Sequence, residues 1–270
     1  MSTPQLLPEV AAPAGSPLVE LRDAGRMVLP AVDQQAPHGE RWVFRHLNLA
    51  LHAGDWLCLQ GPSGGGKSLL LRALAAMDEL DEGQLLWLGN SVAPAETPGH
   101  RCRVLWLPQR PRLLAVTLEQ SLTEVCSFAT RRGGRRVDEC RREALQLLSA
   151  AGRAVQLFSQ PADQLSGGEL ATVALVQALV LAPTVLLLDE PTASADPEST
   201  ERIESLVLRW AREDLQRAVV WVTHDAQQTR RLARNRDEAR ELTSIHELRD
   251  GQLSPTPRVD AADSTRQAEE

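Results

Sequence analysis

The chain of 270 residues contains no tyrosine and only three phenylalanines. Ring packing therefore falls to six tryptophans, and four of them (Trp56, Trp87, Trp106 and Trp221) sit in apolar, strand-like runs where a core role is expected. A basic excess is missing too: 29 Lys and Arg stand against 36 Asp and Glu, a formal charge of −7, which argues against the basic face of a nucleic-acid binder. Cys58, Cys102, Cys126 and Cys140 show no C-x-x-C spacing and read as reduced, mostly buried thiols. No basic segment followed by an apolar one opens the chain, so no secretory signal is expected. Long apolar runs are scarce. Residues 170–188 carry no charge and approach the ~20 residues of a membrane span. However, Pro183 interrupts them, so a buried helix, a turn at Ala182-Pro183 and a buried parallel strand at 185–188 are expected instead.

Residues 1–17 are rich in Pro and Ala and are expected to be disordered, as is a polar tail over 254–270. Between them, residues 18–253 alternate strand-like and helix-like runs, which predicts an α/β fold around one sheet system. Strands are expected at 18–22, 56–60, 84–88, 104–107, 185–188 and 218–223. Residues 110–164 differ: helical patterning, clearest over 138–151, predicts an inserted helical subdomain. Its basic run Arg131-Arg132-Gly133-Gly134-Arg135-Arg136 reads as a solvated loop, with an acidic partner or phospholipid head groups as the sharper reading.

The most informative stretch is Gly61-Pro62-Ser63-Gly64-Gly65-Gly66-Lys67-Ser68, a G-x-x-x-x-G-K-S phosphate loop between an apolar strand and a helix-like run. Its glycines let successive N–H groups turn toward one phosphate chain, and the following helix adds its positive dipole end. Lys67 is placed to reach the β- and γ-phosphates, and Ser68 to ligate Mg²⁺. Further on, the apolar run at 185–188 ends in Asp189-Glu190. Ligands of open α/β sheets bind beyond the carboxyl ends of the strands. There Asp189 is expected to hold Mg²⁺, and Glu190 to act as general base or to orient the attacking water.

Leu165-Ser166-Gly167-Gly168-Glu169 is a second arrangement of hydroxyl and backbone N–H groups at a helix start. With it, the chain resembles the ATPase domain of the ATP-binding cassette (ABC) superfamily, of which the LSGG element is the distinctive mark. Other segments are similar to that family in order. Leu107-Pro108-Gln109-Arg110-Pro111 resembles the glutamine loop, Ala193-Ser194-Ala195-Asp196 stands where the family usually has Ser-Ala-Leu-Asp, and Trp221-Val222-Thr223-His224-Asp225 resembles the switch-histidine motif. The resemblance covers about 18–253.

What the resemblance implies is a P-loop NTPase fold and an active ATPase using ATP and Mg²⁺. Nucleotide would be held by Gly61, Pro62, Ser63, Gly64, Gly65, Gly66, Lys67, Ser68 and Leu69, and metal by Ser68, Gln109 and Asp189. Glu190, His224, Gln109 and Lys67 would carry the chemistry. It further implies a head-to-tail homodimer in which Ser166, Gly167 and Gly168 of one copy close over the γ-phosphate held by the other. Leu69 replaces a common Thr, and Glu169 a commoner Gln. The family's adenine-stacking aromatic is often Tyr; spacing from Val43-Phe44 puts His38 at that position, with Trp42 as the alternative.

The implied role is the ATP-binding subunit of a transporter, at the cytoplasmic face of the inner (plasma) membrane and docked on a separate integral membrane permease, with no direct nucleic-acid contact. The helical insert after Gln109 would make the groove for a coupling helix of that partner. The segments around Gln109 and His224 are also similar to small bacterial subunits assigned to iron export. The alternative is a soluble ABC-type ATPase acting on nucleic acid or ribosomes. Against it stand the single ATPase domain and the absence of sustained heptads between Ser68 and Ser166. A phosphate-loop kinase is argued against by LSGG, the acid pair and His224 together.

Overall fold

Alternation of large apolar side chains along short strands dictates the central layer. In the computed structural model, which describes residues 15–28, 41–127, 136–153, 155–237 and 243–256, six strands form one sheet in the order β10-β9-β3-β8-β7-β6. These are β3 (Trp56–Gln60), β6 (Val104–Leu107), β7 (Val185–Asp189), β8 (Ala218–Val222), β9 (Thr243–Arg249) and β10 (Gln252–Pro255). β3, β6, β7, β8 and β9 run parallel, and β10 turns back antiparallel to β9. A second, antiparallel sheet has the order β2-β1-β4-β5, from β1 (Val19–Val28), β2 (Arg41–Leu51), β4 (Glu82–Trp87) and β5 (Asn90–Ser91).

Both faces of the parallel sheet are dry, which is why β7 and β8 are buried at every position. Leu57, Leu59, Leu187, Val220 and Val222 point to one core, shared with the antiparallel sheet and helix α1 (Lys67–Leu74). Trp56, Cys58, Leu186, Leu188, Val219 and Trp221 point to the other, against α5 (Gly167–Val180) and α6 (Pro197–Glu213). Trp56 and Trp221 stack there across β3 and β8, ring centroids 6.0 Å apart. Helix α2 (Thr97–Arg103) leads into β6. The uncharged stretch resolves into buried α5, a turn with Ala182 at φ 47°, and buried β7. Among the described residues no helix is long and apolar enough to cross a membrane.

Among the described residues of 110–164 lie α3 (Leu118–Ser127), α4 (Val137–Ala150) and two short 3-10 turns. They build a third core with the flank of α5, from Leu118, Leu122, Ala144, Leu148, Phe158, Val173, Val176 and Val180. Two thiols that sequence spacing does not relate meet inside it, the Cys126 and Cys140 sulfurs being 2.7 Å apart.

Other differences from the sequence reading have local causes. Strands β2, β5, β9 and β10 are not foreseen, because β2 alternates with polar residues (Arg41, Arg45, His46, Asn48) and β9 with His246 and Glu247. The expected tail at 254 is a correction: Ser254 and Pro255 pair with Glu247 and His246, so the β9–β10 hairpin continues to Pro255. Thr223 lies past the end of β8, its hydroxyl accepting from the Asp225 N–H. The readings of residues 1–14 and 257–270, of His38 and of the basic run 131–135 fall outside the described residues. Arg136 is exposed and caps α4.

Candidate active site

Because β3, β8, β7 and β6 are neighbours and parallel, their carboxyl ends open on one edge of the sheet. There β3 runs into the phosphate loop, β8 into His224, β7 into Glu190 and β6 into Gln109. Residues far apart in sequence are thus gathered along one line, with His224 just past the end of β8, the strand between those that lead to the phosphate loop and to the acid pair.

The loop from Gly61 to Gly66 is shaped by backbone only glycine tolerates. Gly61 has φ 141°, and a Cβ there would fall 2.2 Å from the Leu248 carbonyl oxygen. At Gly66 (φ 94°) a Cβ would lie 2.3 Å from Val43 Cγ1. Gly64, with φ 74°, instead faces open space, where phosphate oxygens can approach the chain. Lys67 is buried at the first turn of α1, and its Nζ donates to the carbonyl oxygens of Gly61 (2.9 Å) and Pro62 (2.8 Å). Burial lowers its pKa below the ordinary lysine value, and the charges of Glu190 and Asp189, within electrostatic reach of the ammonium, oppose that shift. Ser68 follows, exposed, at the mouth of the loop, with the partly buried Leu69 after it.

Asp189 is buried and its pKa is raised, chiefly by burial, with the Ser68 hydroxyl and Lys67 pulling the other way. The hydroxyl thus stands near the carboxylate, an all-oxygen pair of the kind a hard cation takes. Among the described residues no three or more His, Cys, Asp or Glu side chains group as a metal site.

Glu190 adopts a left-handed backbone (φ 49°), sparsely populated for a non-glycine residue. Its carboxylate is gripped from two sides: Gln109 Nε2 donates to Oε2 at 2.8 Å, and His224 Nε2 pairs with Oε1. The arrangement can orient a water against a terminal phosphate and draw off its proton.

Ser166, Gly167 and Gly168 pack elsewhere, against the loop after Glu190: a Cβ on Gly167 would come 3.1 Å from Ser194 Cβ, and one on Gly168 3.4 Å from the Ser194 carbonyl oxygen. Ser166 caps α5 with a reciprocal box. Its N–H donates to Glu169 Oε2 at 2.9 Å, its hydroxyl also donates to Oε2 at 2.7 Å, and the Glu169 N–H donates back to the hydroxyl at 3.3 Å. These bonds lower the Glu169 pKa, the serine hydroxyl's contribution being the largest.

Trp42 is already engaged by the protein. Arg45 Cζ lies 4.4 Å above its ring, and Gly25 abuts it so closely that a Cβ would come 2.7 Å from Trp42 Cζ3. Sequence reasoning missed the polar residues behind the site, Thr192, Glu204, Gln228 and Thr229, of which all but Thr192 are buried. Only Glu204 leaves a local signal, a charge among the apolar buried residues of α6.

Residues 44–193 match the ABC transporter family. The chain is 33% identical over 262 residues to the aliphatic sulfonates import ATP-binding protein SsuB 2 of Pseudomonas syringae, covering 96% of this chain and 80% of the relative. To the probable iron export ATP-binding protein FetA of Escherichia coli it is 29% identical over 210 residues, covering 78% and 86%. Among solved structures, the dimeric structure of MJ0796, a bacterial ABC transporter cassette, superposes with a TM-score of 0.72 at 25% identity, over 87% of this chain and 96% of that one. A post-hydrolysis state of the same cassette bound to ADP and Pi gives 0.71 at 26% identity, with the same coverage. A phosphate loop, an acid pair and a histidine on one sheet edge, with this family match across the loop and the acid pair, lead to one conclusion: the chain belongs to the ABC transporter family, as an ATP-hydrolysing, ATP-binding subunit.

Proposed function

We propose that two copies of this chain bind ATP head to tail and, by closing and releasing, drive a separate integral membrane permease from its cytoplasmic face. The observation that carries this reading is the Glu190 carboxylate held between Gln109 and His224 beside Lys67. Gly61 to Ser68 and the backbone at Leu69 cradle the triphosphate, and His38 stacks on adenine, a role left to it by the packing of Trp42 under Arg45. Ser68, Asp189 and Gln109 would hold Mg²⁺, which when bound neutralises phosphate charge. Glu190 takes the proton of the attacking water. Gln109 keeps that carboxylate aligned, and His224 reaches the γ-phosphate from the neighbouring strand. The dimer is supported by the dimeric form of the similar MJ0796 cassette, and by the exposure of Ser166 and Gly167 at the start of α5, where a facing nucleotide can meet N–H groups.

The permease is supported by Leu114 and Val116, large apolar side chains 67% and 60% exposed on the segment that leads from Gln109 into α3. Metal export rests on the likeness to FetA. The relatives named for sulfonate import and lipoprotein release are at 33% and 34% identity, so similarity singles out no cargo. The test is to capture the Glu190→Gln variant with Mg·ATP from membranes and identify what is bound. An integral membrane protein that stimulates the parent ATPase supports the reading. Ribosomes or nucleic acid in its place support the soluble alternative.

A further inference from the structure

Glu204 of α6 is a carboxylate only 2% exposed, and burial of that charge demands partners. Two come from α7 (Ala226–Asp237). Arg231 forks onto it, Nε to Oε2 at 2.8 Å and Nη2 to Oε1 at 2.6 Å. Gln228, on the same face one turn earlier, donates Nε2 to Oε1 at 2.8 Å and its second N–H to Thr192 Oγ1 at 3.0 Å. A carboxylate only accepts, so the amide nitrogen of Gln228, not its oxygen, must face Glu204, and Thr192 must then accept as well.

The two ends of that bridge are what matter. Thr192 follows Glu190 by two residues, across Pro191 with its fixed φ. Gln228 begins one helical turn after His224. The same turn is anchored below, where Gln60 Nε2 at the end of β3 donates to Thr229 Oγ1 at 2.7 Å. The buried amide of Gln228 therefore ties the segment that holds Glu190 in its left-handed backbone to the first turn of α7, the helix that directly follows the His224 loop.

We infer that Gln228 is a positioning residue for hydrolysis: it sets the separation of the His224 imidazole and the Glu190 carboxylate, through Thr192 on one side and Glu204 on the other, without touching nucleotide. The inference rests on the roles given to Glu190 and His224.

Gln228→Ala is a clean probe, because both Glu204 oxygens keep an Arg231 N–H and the buried charge stays paired. Thr192→Val removes the other end of the bridge. Steady-state ATPase rates, Mg·ATP affinity with a catalytically arrested readout and melting temperature are measured on the full chain. Each variant is expected to lower kcat by about 10- to 100-fold, as a small misplacement of reacting groups does. ATP affinity should stay within about twofold, and the double variant should be no slower than either single one, as for two ends of one bridge. Glu190→Gln and His224→Ala in the same assay test the underlying assignment: if they turn over like the parent, that assignment fails. If they are slow while Gln228→Ala keeps its kcat within about twofold, only the bridge is refuted. A parallel loss of affinity, melting temperature and kcat would also refute it, by showing Gln228 to be structural alone.

Discussion

Gln109 Nε2 lies 2.8 Å from Glu190 Oε2, joining the ends of two neighbouring parallel strands, β6 and β7, directly at the acid pair. With His224 on the other oxygen, the carboxylate is oriented by groups from both adjacent strands before any substrate contact is considered. In the proposed role of base, a carboxylate so held contributes through alignment as well as through its charge.

Glu190→Gln keeps the shape and hydrogen-bonding length of the side chain but cannot accept a proton. Phosphate release should fall by about 100- to 10,000-fold, while ATP binding persists and a nucleotide-dependent dimer accumulates in light scattering. Parent-like hydrolysis would remove Glu190 from the base role.

Lys67→Ala removes a buried ammonium that bonds the loop and interacts electrostatically with both carboxylates. A charge-assisted contact of this type is worth about 1.5–3 kcal/mol, so ATP affinity should weaken roughly 10- to 150-fold. Isothermal titration with Mg·ATP measures it, and undiminished affinity would contradict the phosphate-loop assignment.

Gly61→Ala drives a Cβ against the Leu248 backbone oxygen, which cannot swing aside as a side chain tip could. A strained backbone residue costs on the order of 1–3 kcal/mol, so the melting temperature should drop by roughly 2–10 °C and ATP affinity with it. Gly89→Ala is the comparison, its Cβ meeting nothing within 4 Å at φ 78°. It should lose stability but not affinity.

His100, 1% exposed, has its Nε2 2.8 Å from the Leu74 carbonyl oxygen, and its buried Nδ1 makes no hydrogen bond. Burial lowers its pKa, with Arg103 and Arg101 adding to the effect and the Leu74 bond opposing it. The unfolded chain therefore takes up this proton first, near about pH 6.5. Stability is complete above that pH and falls as pH drops from there toward the lower folded value. His246, lowered by burial, adds the same sign. Melting temperatures at about pH 7.5 and about pH 5.5 should differ for the parent, and His100→Gln should narrow the difference. An unchanged difference would show that His100 does not carry it.

The chemistry of the phosphate loop was legible in consecutive residues, because Gly61 to Ser68 encode their own backbone path and the apolar runs on either side declare strand and helix. The acid pair, the capped start of α5 and the buried pairing of α5 with β7 were legible for the same reason. β2 and β9 were not, since their half-wet faces dilute the apolar alternation, and the β9–β10 hairpin hid in a polar stretch. Trp42 showed its aromatic ring in the sequence, but nothing there revealed that Arg45 and Gly25 occupy it.

By itself, then, the order of residues determined that a glycine-rich phosphate-loop motif follows one apolar strand and an acid pair another. The tertiary structure alone decided that Gln109, Glu190 and His224 share one carboxylate, that Gly61 must stay bare beneath β9, that Cys126 meets Cys140, and that Gln228 links Thr192 to Glu204. These relationships depend on the lateral order β3-β8-β7-β6 and on helices laid across it. Hydrophobic burial selects that order from the whole chain at once, and no local pattern carries it.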